Sequence, residues 1–218
     1  MHNEIGNYIE NAITDTAQQQ GINFSSHREA QQYIKKSKSE IRRCFREGKT
    51  SVKAGLIYFK DMNDGFVSAV SGKLLKHLNS SKKFTRLIES EITNNDQAMP
   101  LFMEAIHSIW DRGDVHAEQC VITALMGLFP MHPQPYIHLG TLIWRKEGID
   151  AAEAFYAKVI VVIEDPALDY FAADCFYKKG NIDLCKELLK RAWSKAEKSP
   201  EIYSDIQNKI ILLFGKCL

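Results

Sequence analysis

The sequence predicts an all-α protein whose second half repeats a two-helix unit. Apolar residues recur at spacings of three and four along most of the 218 residues, which is the periodicity of amphipathic helices. The clearest β-branched run, at 159–163, lies inside a longer helical pattern and is interpreted as a buried helix segment. After residue 98, small residues, a glycine and a proline recur three times in the same order.

Composition and charge exclude several classes of protein. Apolar residues make up 45% of the chain, which argues against disorder, and the formal net charge is only +1. A chain so close to neutral has no global electrostatic attraction to nucleic acid. There is no run of 18 apolar residues, so stable membrane insertion is not expected. The first residues carry acids where a signal peptide carries basic residues, so secretion through a signal peptide is not expected.

Metal, cofactor and catalytic motifs are missing from the sequence. The five cysteines are widely spaced without a CxxC pair, and no HExxH, GxSxG or phosphate-binding glycine loop occurs. Cys175 and Cys185 fall on consecutive predicted helices and can approach each other, but Cys185 occupies a small-residue position where packing is favoured. We therefore predict no metal, no cofactor and no enzymatic activity.

Four helices are predicted in the first half. They span 3–19, 26–47, 51–77 and 80–93, and the first two end at Gly21 and Gly48. The polar segment 93–97 is the predicted domain boundary. Residues 1–97 are thus expected to form a helical arm, a lid or a small domain, and 98–218 to form the repeats.

A basic cluster lies in the second predicted helix. It consists of Lys35, Lys36, Lys38, Arg42, Arg43, Arg46 and Lys49. Few aromatic residues lie among them, so a solvated helix face is the favoured interpretation. A contact with nucleic acid or lipid is the alternative.

The repeated unit is defined by three kinds of position. A small residue begins each unit at spacings of 35 and 33, a glycine follows it by seven or eight positions, and a second small residue follows it by twelve. The leading residues are Ala105, Gly140 and Ala173, the glycines are Gly113, Gly148 and Gly180, and the second small residues are Ala117, Ala152 and Cys185. Pro130 or Pro133, Pro166 and Pro200 close the units, and a final helix at 201–214 covers the last one. This is the tetratricopeptide pattern, in which two helices (A and B) approach closely at small residues.

The second half resembles the tetratricopeptide-type (class II) chaperones of bacterial type III secretion. The residues that carry the resemblance are the segment 135–140, Asp165-Pro166 and the run from Tyr170 to Gly180, which contains Ala172-Ala173-Asp174-Cys175 and ends in Lys179-Gly180. The likeness covers about residues 98–216. The chain departs from the family by having about 97 residues before the first repeat, and by placing the turn glycine one residue later in the first two repeats.

The resemblance implies a client and a mode of action. Chaperones of this family hold an extended segment of a membrane-inserting translocator in a concave groove, and keep it soluble in the bacterial cytoplasm before export. Needle-subunit chaperones of the same systems also use such repeats, so a needle subunit is the alternative client. Homodimerisation is a further expectation, because stacked repeats leave apolar ends.

Helix A side chains are expected to line the groove. The positions concerned are three before the leading small residue of each repeat, and one, four and five after it. These residues are Phe102, Ile109, Trp110, Ile137, Thr141, Trp144, Arg145, Tyr170, Asp174, Tyr177 and Lys178. Aromatic side chains supply large contact areas with few rotatable bonds, which suits an extended peptide. A hypothesis of another class is a scaffold whose repeats bind a folded protein while the basic cluster contacts nucleic acid or lipid.

Overall fold

A computed structural model describes residues 26–62 and 65–217, and these residues form helices joined by short turns. The helices are α1 (His27–Lys60), α2 (Gly65–His77), α3 (Ser81–Ile88), α4 (Ala98–Trp110), α5 (Val115–Leu128), α6 (Pro133–Glu147), α7 (Ile149–Val162), α8 (Pro166–Lys178), α9 (Ile182–Ala196) and α10 (Pro200–Lys216). A π-helical turn, Glu89–Thr93, continues α3. No strand occurs in the described ranges, so the all-α prediction is confirmed there. The predicted helix 3–19 lies outside the described residues.

The helix boundaries in the first half differ from the prediction. Helix α1 continues through Gly48 to Lys60. A glycine costs a helix interior only about 1 kcal/mol relative to alanine, and no proline follows Gly48 to stop it. The break comes instead after Lys60, in a segment containing Asp61, and the hydroxyl of Ser68 donates a 2.6 Å hydrogen bond to the Lys60 carbonyl. The predicted helix 51–77 is therefore divided, because its first part belongs to α1 and its remainder is α2.

The described chain divides into two compact units, one ending at Thr50 and the other beginning at Ser51. The polar segment 93–97, expected to be a domain boundary, lies inside the second unit. Residues on both sides of it share one core, which includes Phe59 and Leu74 before the segment and Ile106 after it. Their apolar side chains decide the packing, which the local polarity of 93–97 does not interrupt.

Gly55 shows how closely the second unit packs before the first repeat. A β-carbon at this position would overlap the backbone carbonyl of Cys120 and the side chain of Ala124 in α5. Only glycine permits this approach of α1 to α5. Within the second unit, the last turns of α1 therefore pack directly against the first repeat.

The predicted repeats correspond to three helix pairs, α4–α5, α6–α7 and α8–α9, followed by the closing helix α10. Each helix packs against the next, and α6 also contacts α8. Gly113, Gly148 and Gly180 form the turns inside the pairs with φ values of 70°, 94° and 79°. This left-handed region disfavours a β-carbon, which explains why glycine recurs at these positions.

The small residues are buried where the helices of a pair meet. Ala105, Ala173, Ala117, Ala152 and Cys185 are all at most 6% exposed. A β-carbon on Gly140 would overlap the phenol ring of Tyr156 on α7. The prediction that the leading small residue of the second repeat faces helix B of the same repeat is confirmed.

Two apolar cores fill the second unit. The first joins α1, α2, α4 and α5, and the second joins α7, α8, α9 and α10. Helix α6 contributes to both, with Leu142 in the first core and Ile137 in the second. None of the described helices is long and apolar enough to cross a membrane.

Candidate functional site

Three of the predicted groove residues are buried. Phe102 is 0% exposed, and Ile109 and Ile137 are each 5% exposed. Phe102 packs edge-on against Phe59 at a ring-centroid distance of 4.9 Å and against Phe129 at 6.0 Å. A side chain enclosed in this way offers no surface to a peptide, so these three residues are core residues in this structure.

Arg145 makes an ion pair between repeats. Its guanidinium donates two hydrogen bonds of 3.2 Å to the carboxylate of Glu118 on α5. The Glu118 side chain is only 4% exposed, whereas that of Arg145 is 52% exposed. A buried carboxylate needs such a partner, because leaving it unpaired is costly. The main role of Arg145 is therefore to neutralise Glu118, a role that its spacing from Gly140 did not reveal.

Helices α6 and α8 bring together the remaining candidates of the second and third repeats. The Nζ atom of Lys178 lies 3.9 Å from the ring centroid of Trp144, and it makes a 2.6 Å ion pair with Asp174. A cation over an indole face is attracted by the ring quadrupole. The separation of four residues places Asp174 and Lys178 on one face of α8.

Tyr170 extends this cluster by one helical turn. Burial and the nearby Asp174 raise the pKa of its phenol. Tyr170, Tyr177 and Trp144 are half-buried, so part of each side chain is accessible to solvent. We call the set of Thr141, Trp144, Tyr170, Asp174, Tyr177 and Lys178 the aromatic face.

Thr141 follows Gly140 on α6. Its hydroxyl donates a 3.0 Å hydrogen bond to the carbonyl of Ile137, which also accepts a 3.0 Å bond from Tyr156. Burial is the largest cause that raises the pKa of the Tyr156 phenol. The Thr141 hydroxyl thus bonds inside α6 and also interacts with the Tyr156 phenol. The main features of the face are its aromatic rings and one charge pair.

A second cluster, the ring cluster, joins α4 to α6 through His107, Trp110 and His138. The rings of Trp110 and His138 lie 4.4 Å apart between centroids, and those of His107 and Trp110 lie 5.3 Å apart. Burial, and then the neighbouring His107, lower the pKa of His138 to about 4. The indole nitrogen of Trp110 is buried without a hydrogen-bond partner.

The ring cluster contains one residue predicted for the groove, Trp110, and two that sequence reasoning did not assign to it. His138 lies two positions before Gly140, outside the positions counted from the leading small residue. The aromatic pairing of Trp110 is a contact between repeats, and it leaves only part of the ring exposed.

A surface cleft of about 690 Å³ lies away from the aromatic face. It is lined by Ile92, Met99, Leu128, Phe129, Met131 and His132, among others. Its residues come from the π-helical turn, the first turn of α4 and the connection between α5 and α6. No sequence motif indicated it, because these segments are distant in sequence and irregular.

Within the described part of the chain, no cluster of three or more histidine, cysteine or acidic side chains is arranged to hold a metal ion. The available chemistry of the aromatic face is therefore that of aromatic surface, a cation and a carboxylate. Comparisons with protein-family models, curated proteins and solved structures found no match to this chain.

Proposed function

We propose that this protein is a non-enzymatic chaperone that binds an extended segment of an export substrate on its aromatic face. The observation that supports this most is the position of three half-buried aromatic residues, Trp144, Tyr170 and Tyr177, on consecutive A helices. Such rings give an extended peptide a large contact area at a small entropic cost. The ion pair of Asp174 and Lys178 beside them offers polar contacts for the peptide backbone.

The proposed client is a translocator of type III secretion, and a needle subunit is the alternative. The resemblance of the run from Tyr170 to Gly180 to the secretion chaperones supports this choice. A membrane-inserting client has apolar segments that self-associate, and binding one of them in a one-to-one complex keeps the client soluble. Such holding takes place in the bacterial cytoplasm before export and consumes no nucleotide.

The experiment compares three purifications of the tagged full-length chain from its own source cells. The chains are the wild type, Trp144→Ala and Trp193→Ala. Trp193 is the matched control because it is a partly exposed tryptophan (37%) on helix B of the third repeat. Mass spectrometry identifies the bound protein, and limited proteolysis of the complex identifies the segment that the chaperone protects.

The protected segment is then synthesised, and its affinity is measured by fluorescence anisotropy. We expect a stoichiometric apolar secretion substrate, and an affinity that falls at least about tenfold in Trp144→Ala and Tyr177→Ala. Trp193→Ala should bind like the wild type. Equal binding by all variants would refute the assignment of the aromatic face.

The same purification tests the scaffold hypothesis. On α1, Lys35 and Lys36 are exposed, which is the observation that favours an anionic partner. Recovery of nucleic acid or lipid instead of a secretion substrate, released by salt and lost on Lys35→Glu with Lys36→Glu, would support the scaffold and refute the chaperone.

A further inference from the structure

Cys185 and Cys217 form a close pair of thiols in the second core. Their sulfur atoms lie 3.6 Å apart, and the residues are 0% and 7% exposed. Cys185 is in the first turn of α9, and Cys217 is the C-cap of α10. The pair therefore connects the closing helix to the last repeat. The sequence suggested a different approach, of Cys175 to Cys185.

We propose that Cys185 and Cys217 are a redox-active pair that a small-molecule disulfide, such as oxidised glutathione, converts into an intramolecular disulfide. A disulfide needs its sulfur atoms about 2.05 Å apart, so the pair must close by roughly 1.5 Å. Cys217 follows the last turn of α10, and helix ends open with little cost in free energy. The required movement therefore lies within the ordinary fluctuation of this helix end.

The surroundings of the two thiols determine which of them reacts first. Burial is the largest cause that raises the pKa of the Cys185 thiol. Cys185 is fully enclosed, whereas Cys217 is 7% exposed at the helix end, so Cys217 reacts first, when the end of α10 opens. The Cys217 thiolate attacks one sulfur of oxidised glutathione, and the first glutathione leaves and takes up a proton.

The second step forms the protein disulfide. Cys185 loses its proton and attacks the Cys217 sulfur of the mixed disulfide, and the second glutathione leaves as a thiol. Two protein thiols are thereby oxidised, and one glutathione disulfide is reduced to two thiols. The product fastens α10 to α9. Ile211 and Leu212 leave one side of α10 exposed at 57% and 69%, so a covalent link adds a constraint to a helix that is packed on its other side only.

The test uses the full chain with Cys44→Ser and Cys120→Ser, which keeps Cys175 and the proposed pair. The protein is incubated with oxidised glutathione, denatured, alkylated with iodoacetamide and mapped by peptide mass spectrometry. We expect oxidation to make the chain lighter by two hydrogens than the reduced chain. After alkylation, the peptide map should show Cys185 linked to Cys217, and Cys175 alkylated. Dithiothreitol should reverse the change, and Cys217→Ser should abolish it.

Stability supplies an independent readout. The oxidised chain should melt roughly 5–10 °C higher than the reduced chain, and amide hydrogen exchange in α10 should slow at least about tenfold. A link between Cys175 and Cys185, or a glutathione that remains on Cys217, would overturn the proposal. The proposal would also be overturned if all three remaining thiols are alkylated after incubation with oxidised glutathione in moderate urea. The end of α10 is open under that condition, so the absence of a disulfide would show that the pair does not react. A disulfide that leaves both melting and exchange unchanged would overturn its fastening role.

Discussion

The phenol of Tyr156 fills the space that a side chain on Gly140 would need. A β-carbon on Gly140 would overlap the Tyr156 ring, and the Tyr156 hydroxyl donates a 3.0 Å hydrogen bond to the carbonyl of Ile137 on the same helix as Gly140. One ring therefore sets both the distance and the register of the two helices in the second repeat.

Gly140→Ala should destabilise the protein by about 1–3 kcal/mol. Alanine favours a helix over glycine by about 1 kcal/mol, but the overlap displaces a buried ring and breaks its hydrogen bond, which outweighs that gain. Chemical unfolding measures the change. Gly72→Ala is the matched control, because the nearest atom to its β-carbon is the flexible side chain of Lys60 at 4.0 Å. A Gly140→Ala chain as stable as the Gly72→Ala chain would contradict the close approach.

His138 should make the folded state sensitive to acid. Burial and His107 lower its pKa from 6.5 to about 4, so between these values the unfolded chain binds a proton that the native chain does not. The stabilisation is therefore complete above about pH 6.5 and is lost as the pH falls towards 4. The expected loss is about 1–3 kcal/mol, because the ring is partly exposed.

The measurement is the difference in unfolding free energy between the wild type and His138→Gln from pH 7 to pH 4. The difference removes the contribution of carboxylates that titrate in the same range. The stability of the wild type relative to that of the variant should decrease as the pH falls. A difference that does not depend on pH would show that His138 titrates equally in both states.

The ion pair between Arg145 and Glu118 should show a coupling energy of about 1–2 kcal/mol in a double-mutant cycle. Arg145→Met leaves the buried Glu118 carboxylate unpaired, while Glu118→Gln removes the charge. The matched control is the cycle for Asp174 and Lys178, a pair four residues apart on one helix, whose carboxylate is 22% exposed compared with 4% for Glu118. That pair should couple by no more than about 0.5 kcal/mol. Equal coupling in the two cycles would argue against a special role for the buried pair.

Tyr203→Phe should loosen the closing helix. The Tyr203 hydroxyl donates a 3.0 Å hydrogen bond to the Asp165 carboxylate, which also accepts a 2.8 Å bond from the backbone of Ala167 as the N-cap of α8. Losing the phenol bond should cost about 1 kcal/mol. Hydrogen exchange should accelerate in α10 and remain unchanged in α4.

Tyr136→Phe is the control for this prediction. Its hydroxyl also donates to a single acceptor, the carbonyl of Pro130 at 2.8 Å, but the bond is exposed. Water replaces an exposed bond at little cost, so this variant should be nearly as stable as the wild type. If both variants lose the same stability, the link between Tyr203 and Asp165 has no special role.

The sequence by itself determined the helical class, the three helix pairs and their turns. Helical periodicity is local, because residues three and four apart share a face, and a glycine with positive φ marks its own turn. Gly113, Gly148 and Gly180 could therefore be placed without a structure. The small residues could be placed in the same way, because their spacing alone shows that they recur at the same point of each pair.

The tertiary structure decided which of the predicted groove residues are accessible. Phe102 has the same position in its repeat as Tyr170, yet the helices before residue 98 supply Phe59 and bury it. Likewise, Arg145 is held in an ion pair with Glu118. The sulfur atom of Cys217, rather than that of Cys175, lies 3.6 Å from the sulfur of Cys185. Burial and pairing depend on side chains that are distant in sequence. A local pattern contains no information about which of these side chains pack against a given residue.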